Sequence, residues 1–250
     1  MTPPKKDRHT ALAWNILVGA SIFLLVFLPF RSASVPSPGG DFLTLAELLP
    51  TGIAYTLGIT LMSSLAAIVV GFAAGMGMLS SRPGVRVAVS LYTEALRGIP
   101  LLVLLFYIYY ALGEFFAVPA LAAAVFGFGF CYGAYMADIF RAGVQAVPKE
   151  QAEAARSLGM TQKQALMQIV MPQALRTIVP AIGNQTLGML KDTSLVSVLS
   201  ITDILRIGNE YATRHFNYFE TYTYIALLYL FLTLLMSRVV QTIEQRFNRG

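Results

Sequence analysis

Four ionisable residues stand inside long apolar runs of the chain. Glu94 and Arg97 lie in one run, and Lys191 and Asp192 lie in a later one. A charged side chain in the middle of a bilayer costs on the order of 2.5 to 3.5 kcal/mol on insertion scales, so such groups usually pair or line a cavity. Together they offer a cation and an anion, the two partners that the carboxylate and the ammonium of a zwitterion require.

Uncharged polar side chains accompany the second pair. Gln185 precedes Asp192 by seven residues, close to two helical turns, so the two side chains share a face and stand about 10 Å apart along the axis. Thr193 and Ser194 add hydroxyl groups. A neutral amide at Gln185 suits an acidic or neutral polar ligand side chain better than a guanidinium. The candidate pathway residues are Arg97, Gln185, Lys191, Asp192 and Ser194.

Structural roles for the same groups stay open at this point. Glu94 and Arg97 are three residues apart on one helix face and could pair with each other, and Arg97 could reach the lipid surface. Gln185 could bond to a neighbouring helix. Gly98 and Pro100 favour the pathway role for Arg97, because they break helix regularity at a depth where irregular backbone is tolerated only beside a cavity or buried protein.

The composition indicates an integral membrane protein. Hydrophobic residues make up 56% of the 250 residues and charged residues 12%, with a mean hydropathy of +0.64, too little charge to cover a soluble globule of this size. The lone Cys131 excludes an internal disulfide framework, and His9 and His215 share no ligand spacing, so we expect no metal site. The formal charge of +5 is explained by basic residues that orient the helices in the membrane and contact anionic lipid. It therefore does not indicate a nucleic-acid partner.

The apolar runs predict an all-α membrane protein with about six transmembrane helices. A run of about 20 apolar residues spans a hydrocarbon core of about 30 Å and satisfies its backbone internally. Turn-forming stretches such as residues 36–40 and 81–84, and Pro119, mark the ends of the runs. The predicted spans cover about residues 12–30, 52–80, 87–112, 118–138, 175–200 and 221–240.

Basic residues predict the orientation of these helices, because Lys and Arg concentrate in cytoplasmic connections. If both termini lie inside the cell, the outer side holds few basic residues: Arg31, Arg206 and Arg214. The cytoplasmic side then holds the larger set: Lys5, Lys6, Arg8, Arg82, Arg86, Arg141, Lys149, Arg156, Lys163, Arg176, Arg238, Arg246 and Arg249. The long polar segment at residues 141–174 therefore faces the cytoplasm.

The first span has an alternative interpretation as a secretory signal peptide. Basic residues precede it, and Ser32-Ala33-Ser34 resembles a cleavage site. Its apolar run is longer than the roughly 7 to 15 residues usual for a signal core, so we favour a retained helix. The other spans keep the same orientation in either case.

The polar segment carries the signals of a short helix. Pro148 and Glu150 suit a helix start, small alanine side chains follow, and Gly159 suits a left-handed cap at the end. A functionless connection is usually much shorter than residues 141–174. We therefore interpret the segment as a docking surface in preference to a loop resting on the bilayer.

A second short helix is expected directly after the first. Thr161 and Gln164 match a capping box. Pro172 disfavours the α region at Met171, so we expect this helix to end there. The two short helices then meet at an angle.

A spaced motif runs through this segment. Its elements are Glu153-Ala154-Ala155, three residues, Gly159, nine residues, Ile169, one residue and Met171-Pro172. The motif resembles the EAA loop of permease subunits in bacterial ATP-binding-cassette importers; the departure is Met171, where that family usually has leucine, and both are apolar and unbranched at Cβ. The residues that this resemblance assigns to coupling with an ATPase are Glu153, Ala154, Ala155, Gly159, Ile169 and Pro172.

Three further stretches resemble the polar amino-acid permeases of that superfamily, namely residues 94–102, 137–143 and 190–197. Four ordered motifs are more specific than any one alone. The resemblance covers roughly residues 50–245. It implies a five-helix type I importer core in residues 49–245, with the coupling loop at about 141–174. Residues 1–48 then form a cytoplasmic tail, an extra transmembrane helix and a periplasmic loop.

The resemblance also implies a location and partners. The chain would lie in the bacterial inner membrane with both termini in the cytoplasm. It would pair with a second permease, a copy or a homologue, and work with two cytoplasmic ATPase subunits and a periplasmic substrate-binding protein. ATP and Mg²⁺ would bind to the partner ATPase, so no cofactor is expected in this chain.

Glycine spacing alone does not indicate a nucleotide site in this chain. Gly183 and Gly188 have the spacing of a phosphate-binding loop, but Met189 and Leu190 stand where lysine and a hydroxyl residue are required. Close helix packing explains these glycines better. The same packing role is expected of Gly71, Gly75, Gly129 and Gly133.

Two other classes of function compete with an importer subunit. A secondary proton-coupled amino-acid transporter could use Asp192 or Glu94 as a proton relay, but it predicts inverted repeats, and no two halves of the sequence resemble each other. An intramembrane enzyme needs paired catalytic residues at depth, yet the spans hold no histidine, no second cysteine and no HExxH pattern. We therefore predict a non-enzymatic translocation subunit of an ATP-driven importer for polar amino acids.

Overall fold

A computed structural model describes residues 6–33 and 42–248, with side chains described over residues 13–27 and 44–247. Every secondary-structure element in these residues is helical, which confirms the predicted all-α class. The α-helices are α1 (Lys6–Ala33), α2 (Phe42–Met78), α3 (Pro83–Gly98), α4 (Leu101–Phe106), α5 (Ala120–Gln145), α6 (Lys149–Ser157), α7 (Gln162–Gln164), α8 (Met171–Asp192), α9 (Ile204–His215) and α10 (Tyr218–Asn248). The π-helical turns are Tyr107–Ala111 and Ala165–Val170, and the 3-10 segments are Leu112–Glu114 and Thr193–Leu199.

Several helical segments are long and apolar enough to cross a membrane. They are Thr44–Met78, Ala120–Gln145, Gln162–Leu199 and Tyr218–Phe247. Helix α3 and the segment Leu101–Glu114 meet at a bend of 102° and add a fifth span if they are counted together. The apolar part of α1 is shorter, Ala13–Phe27. The described residues thus contain the five predicted core spans, and α1 stands where the extra helix was predicted.

The bend between α3 and α4 falls on Ile99 and Pro100. Ile99 is extended, with φ −95° and ψ 127°, and Pro100 has φ −57° and ψ 133°. Pro100 lacks an amide hydrogen and disfavours the α region at Ile99, so α3 ends there. Its fixed φ suits the residue that begins the next helix. The break that the sequence predicted after Arg97 is confirmed.

The end of the polar segment at residues 141–174 differs from the expectation. Pro172 was expected to end a short helix at Met171, but Met171 is α-helical (φ −60°, ψ −43°) and the chain continues through a π-helical turn into α8. The wider turn gives the proline ring room, and Gln173 Nε2 donates to the Ile169 carbonyl at 3.0 Å. The span predicted at 175–200 therefore begins earlier in the chain than expected.

The described residues form two compact units. One contains the chain up to Thr56 together with Thr202–Met236, and the other contains Leu57–Ile201 together with the chain from Ser237 onward. The candidate pathway residues and the polar segment at residues 141–174 all lie in the second unit.

Glycines on α2 let it pack closely on α5 in the second unit. A Cβ atom added at Gly71 would lie 2.5 Å from the Met136 Cβ, and one added at Gly75 would lie 2.7 Å from the Phe140 Cβ. A larger residue at either glycine would therefore push the helices apart. The packing role predicted for these glycines is confirmed.

A buried aspartate begins α9 in the first unit. Asp203 is fully buried and accepts hydrogen bonds from the amides of Leu205 and Arg206 at 3.2 and 3.0 Å, an N-cap arrangement. The Tyr229 hydroxyl on α10 lies 3.5 Å from the same carboxylate. Burial raises the pKa of Asp203 to about 6, although the backbone hydrogen bonds act in the opposite direction.

Some predictions lie outside the described residues. They concern the loop at residues 36–40, Ser34 of the signal-peptide alternative, and the basic residues Lys5 and Arg249.

Candidate functional site

A cavity of about 410 Å³ lies beside the break between α3 and α4. Residues 97–101 border it at the break, Cys131, Tyr132 and Tyr135 border it on α5, and Gln185 and Asp192 border it on α8. The irregular backbone thus lies next to an open space, as expected of a broken helix within a membrane span.

The Arg97 guanidinium is held by neighbouring groups at the edge of this cavity. It forms an ion pair with Asp138 on α5, and its Nε donates to the Thr93 carbonyl at 3.2 Å. Asp138 also pairs with Arg141 at 3.1 Å. Arg97 therefore pairs with Asp138 and not with Glu94. The side chain is still 37% exposed, and a guanidinium has five N–H groups, so donors remain for a ligand.

Asp192, the last residue of α8, borders the same cavity. Its carboxylate accepts a hydrogen bond from the Tyr132 hydroxyl at 2.7 Å, and its side chain is exposed. The helical backbone continues past Asp192 into the 3-10 segment Thr193–Leu199. The carboxylate keeps acceptor capacity beyond the bond from Tyr132, so it is available to a cation.

The other candidate pathway residues lie in different surroundings. Gln185 borders the cavity on the same helix as Asp192, as their seven-residue spacing predicted. Lys191 is exposed and Ser194 is half-buried, and neither is among the residues that line the cavity. The Thr193 hydroxyl donates to the Leu190 carbonyl at 2.6 Å, so it is used within the helix end.

The sequence did not predict Tyr132, Tyr135 or Asp138 as site residues, although Asp138 lies in the stretch 137–143 that resembles the permeases. Cys131, Tyr135 and Asp138 follow each other at spacings of four and three, so they share one face of α5. This polar face on α5, a helix otherwise rich in glycine and alanine, could have predicted that α5 contributes to the site.

The spaced motif at residues 153–172 begins with a short helix, a tight turn and a capped second helix. Helix α6 ends before Gly159, whose φ of +90° favours glycine. The Thr161 hydroxyl accepts a hydrogen bond from the Gln164 amide at 3.3 Å, and the Gln164 side chain accepts one from the Thr161 amide at 2.8 Å. The predicted glycine cap and capping box are therefore both present.

The motif residues divide between an exposed and a buried face. Glu153, Ala154 and Gly159 are exposed, whereas Ala155 is buried where α6 packs against the π-helical turn. Ile169 is half-buried and Pro172 is exposed. Leu158, which the motif did not single out, is 85% exposed, so an apolar side chain stands at the tip of this segment. The segment has the form of a small projecting surface with an apolar tip.

The chain matches known proteins over the residues that form the cavity and the spaced motif. A family model described as a binding-protein-dependent transport system inner membrane component matches residues 67–249. The probable amino-acid permease protein YxeN of Bacillus subtilis is 36% identical over 212 residues, which cover 83% of this chain and 93% of the relative. The L-cystine transport system permease protein TcyB of the same organism is 33% identical over 204 residues, covering 81% and 87%.

A solved structure shares the fold as well as the sequence. The crystal structure of an amino acid ABC transporter with histidines contains a chain that is 37% identical, with a TM-score of 0.76, and the match covers 83% of this chain and 99% of that one. These similarities do not favour the secondary transporter. Permeases of this type are not enzymes, and ATP hydrolysis belongs to a separate subunit. The chain belongs to the family of binding-protein-dependent transport system inner membrane components and is a multi-pass permease subunit of an amino-acid ABC importer.

Proposed function

We propose that this chain forms the path of a polar amino acid across the inner membrane and holds it in the cavity beside Pro100. The observation that carries the proposal is that Arg97 and Asp192, far apart in the sequence, border one cavity of about 410 Å³. The importer would include a second permease, two cytoplasmic ATPase subunits and a periplasmic binding protein. No cofactor is assigned to this chain, because ATP and Mg²⁺ would bind to the ATPase.

The two charges suit the two ends of an amino acid. Asp192 keeps acceptor capacity beyond its bond from Tyr132, so it can bind the ammonium group. Arg97 keeps N–H donors beyond those that bond to Asp138 and Thr93, so it can bind the carboxylate. Asp138 is shared between Arg97 and Arg141, so this one carboxylate offsets only part of the charge of the two guanidinium groups, and Arg97 still attracts an anion.

The remaining wall favours a polar side chain on the transported amino acid. Gln185 offers an amide that both donates and accepts, and Tyr135 adds a phenol to the lining. Neither group carries a charge that would select a guanidinium or ammonium side chain. An acidic or neutral polar side chain is therefore favoured. One relative is named for L-cystine and the solved structure for histidines, and both are polar amino acids.

Coupling to ATP hydrolysis is assigned to the projecting cytoplasmic segment. Its exposed face combines Glu153 and Ala154 with the tight turn at Gly159, and Leu158 adds an apolar tip. A central apolar anchor surrounded by small and polar residues is typical of a protein-binding surface. With both termini in the cytoplasm, as the basic residues predict, this surface faces the ATPase.

Uptake of radiolabelled amino acids by the reconstituted importer tests the path. Asp192→Asn keeps the side-chain volume but removes the charge that meets the ammonium group. Leaving a buried charge unpaired costs about 2 to 5 kcal/mol, so uptake should fall about 30-fold or more. Basal ATP hydrolysis should survive, because the nucleotide site is on another subunit.

The matched control is Glu220→Gln, which removes an exposed carboxylate from the first turn of α10. This variant should import at the wild-type rate. If Asp192→Asn assembles and imports like the control, with the same dependence on amino-acid concentration, Asp192 is not part of the path.

A further inference from the structure

Asp138 on α5 binds two guanidinium groups at once. Its Oδ2 accepts a hydrogen bond from Nη1 of Arg97 at the edge of the cavity, and its Oδ1 accepts hydrogen bonds from Nε and Nη2 of Arg141 at 3.3 and 3.1 Å. The two oxygens thus serve different arginines. One negative charge between two positive charges leaves this group of three side chains with a net positive charge, which attracts a further anion.

The carboxylate of the amino acid in the cavity would be that anion. It approaches Arg97, whose Nη1 is engaged by Asp138 and whose Nε is engaged by the Thr93 carbonyl. Two carboxylates on one guanidinium repel each other, so each weakens the bond of the other. Asp138 has a second partner in Arg141, so it can leave Arg97 and still remain paired.

Arg141 extends these contacts to the end of α5. Its Nη1 donates to the Gln145 side chain at 3.2 Å, one turn further along the helix. Asp138 and Gln145 are seven residues apart, about 10 Å along the axis, and Gln145 is the last residue of α5. Helix α6 begins at Lys149, four residues later. A change at Asp138 therefore reaches the helix end that precedes the segment at residues 149–164.

The other end of that segment is tied to the same part of α5. Gly143 on α5 is buried against Ile178 on α8, and a Cβ atom added at the glycine would overlap the Ile178 side chain. Helix α8 continues directly from the π-helical turn Ala165–Val170, on which α6 packs. The segment is thus held at both ends by helices in close contact, and closely packed elements shift together when one of them moves.

We propose that Asp138 is a positioning residue that exchanges partners when an amino acid binds. The carboxylate of the amino acid takes the place of Asp138 on Arg97, and Asp138 then pairs with Arg141 alone, at the end of α5 that leads into residues 149–164. The exchange signals an occupied cavity to that segment. The inference rests on the proposed function, because the amino acid has to bind at Arg97. By linkage, the same exchange must appear in the affinity for the amino acid.

Equilibrium binding of a radiolabelled amino acid to the purified importer tests the exchange, because two substitutions should change the Kd in opposite directions. Asp138→Asn removes the competitor for Arg97, so the Kd should fall about ten-fold. Arg141→Gln removes the alternative partner of Asp138, which then stays on Arg97, so the Kd should rise about ten-fold. If one of the two variants does not assemble, the direction of the change in the other decides.

A double variant separates an effect through Asp138 from direct attraction between Arg141 and the amino acid. If Arg141 acts through Asp138, Asp138→Asn/Arg141→Gln should bind as tightly as Asp138→Asn alone. Direct attraction would instead weaken binding equally with and without Asp138, and would overturn the exchange. The matched control is Arg86→Gln, which removes an exposed arginine from α3 and should leave the Kd unchanged.

Stimulation of ATP hydrolysis by the amino acid and its binding protein provides a second measurement. Asp138→Asn should lose most of this stimulation although it binds the amino acid more tightly, because no carboxylate remains to change partners. Asp138→Glu keeps the carboxylate and should recover most of the stimulation. A purely structural role for Asp138 predicts the opposite sign for binding, since a loosened site binds more weakly.

A Kd that is unchanged in Asp138→Asn and Arg141→Gln, or that changes in the same direction in both, would overturn the exchange. Weaker binding in Asp192→Asn would still support the proposed function in that case. Absence of saturable binding to the wild type would instead overturn the proposed function, and the exchange with it.

Discussion

The segment around Gly159 (residues 149–164), which we call the projection, and the cavity beside Pro100 lie in the same compact unit but are built in different ways. The projection comes from a continuous stretch, and local hydrogen bonds and one left-handed glycine determine its shape. The cavity is assembled from α3, α5 and α8, and its charged groups are held by partners on other helices. Substitutions in the projection should therefore affect coupling alone. Substitutions around the cavity should affect amino-acid binding, even at residues that only position a charge.

The largest expected effect is on coupling. Gly159→Asp adds a charged side chain to the exposed turn, where a φ of +90° also strains any residue other than glycine. Stimulation of ATP hydrolysis by the loaded binding protein should be abolished, while the variant still assembles in the membrane. The measurement is the ATPase rate of the reconstituted complex with and without binding protein and amino acid.

Gly84→Asp is the matched control for that experiment. Gly84 is also exposed, a Cβ atom there meets nothing within 4 Å, and it lies in the first turn of α3, where an acidic residue is favourable. The control should keep normal stimulation. Normal stimulation in Gly159→Asp as well would contradict the coupling role of the projection.

The next effect in size concerns a residue that positions a charge. Tyr132→Phe removes the hydroxyl that donates to Asp192 at 2.7 Å and keeps the ring. A hydrogen bond to a charged group is worth about 1.5 to 3 kcal/mol, so KM for uptake should rise about 10-fold to 100-fold. Tyr92→Phe, which loses a bond of 2.7 Å to the Phe130 carbonyl away from the cavity lining, should leave KM unchanged. Equal KM values for the two variants would show that the Tyr132 hydroxyl does not position Asp192 for binding.

A smaller difference in amino-acid uptake is expected between two substitutions of Arg97. Arg97→Lys keeps the positive charge but loses the planar fork, whereas Arg97→Gln loses both. Uptake should therefore be reduced in both variants, and several-fold more in Arg97→Gln. Equal uptake by the two variants would show that the charge of Arg97 does not contact the amino acid.

The same contrast between local and assembled structure explains what the sequence could predict. The capping box, the Gly159 turn and the break at Pro100 depend on residues within one or two turns, and all three were predicted. The continuation past Pro172 was not, because a π-helical turn relieved a clash that an α-helix would suffer.

The cavity could be predicted only in part, because it forms where helices that are distant in the sequence pack together. Apolar context marked Arg97 and Asp192 as unusual, and helical spacing placed Gln185 beside Asp192. The partners that hold the charges, Asp138 and Tyr132, come from α5. The register of α5 against its neighbours depends on glycine contacts that only the folded chain reveals.

The smallest expected effect is a dependence of stability on pH in the first unit. Burial raises the pKa of Asp203 to about 6, above the ordinary carboxyl value of about 4. The folded protein thus binds this proton more tightly than the unfolded chain, so the stabilisation is present below about pH 4 and is lost as the pH rises through about 6. Asp203→Asn keeps a good helix cap and does not titrate.

Thermal unfolding of the purified protein measures that effect. Between pH 5 and pH 7 the Tm of the wild type should fall by a few degrees relative to that of Asp203→Asn. Parallel pH profiles for the two proteins would show that Asp203 does not titrate in this range.

The central claim is that the cavity beside Pro100 binds the transported amino acid through Asp192 and Arg97. Equilibrium binding of a radiolabelled amino acid to the purified importer, without binding protein or nucleotide, tests it most directly. We predict saturable binding to the wild type and to Gly159→Asp, and a Kd at least 30-fold weaker in Asp192→Asn. An unchanged Kd in Asp192→Asn would contradict the account.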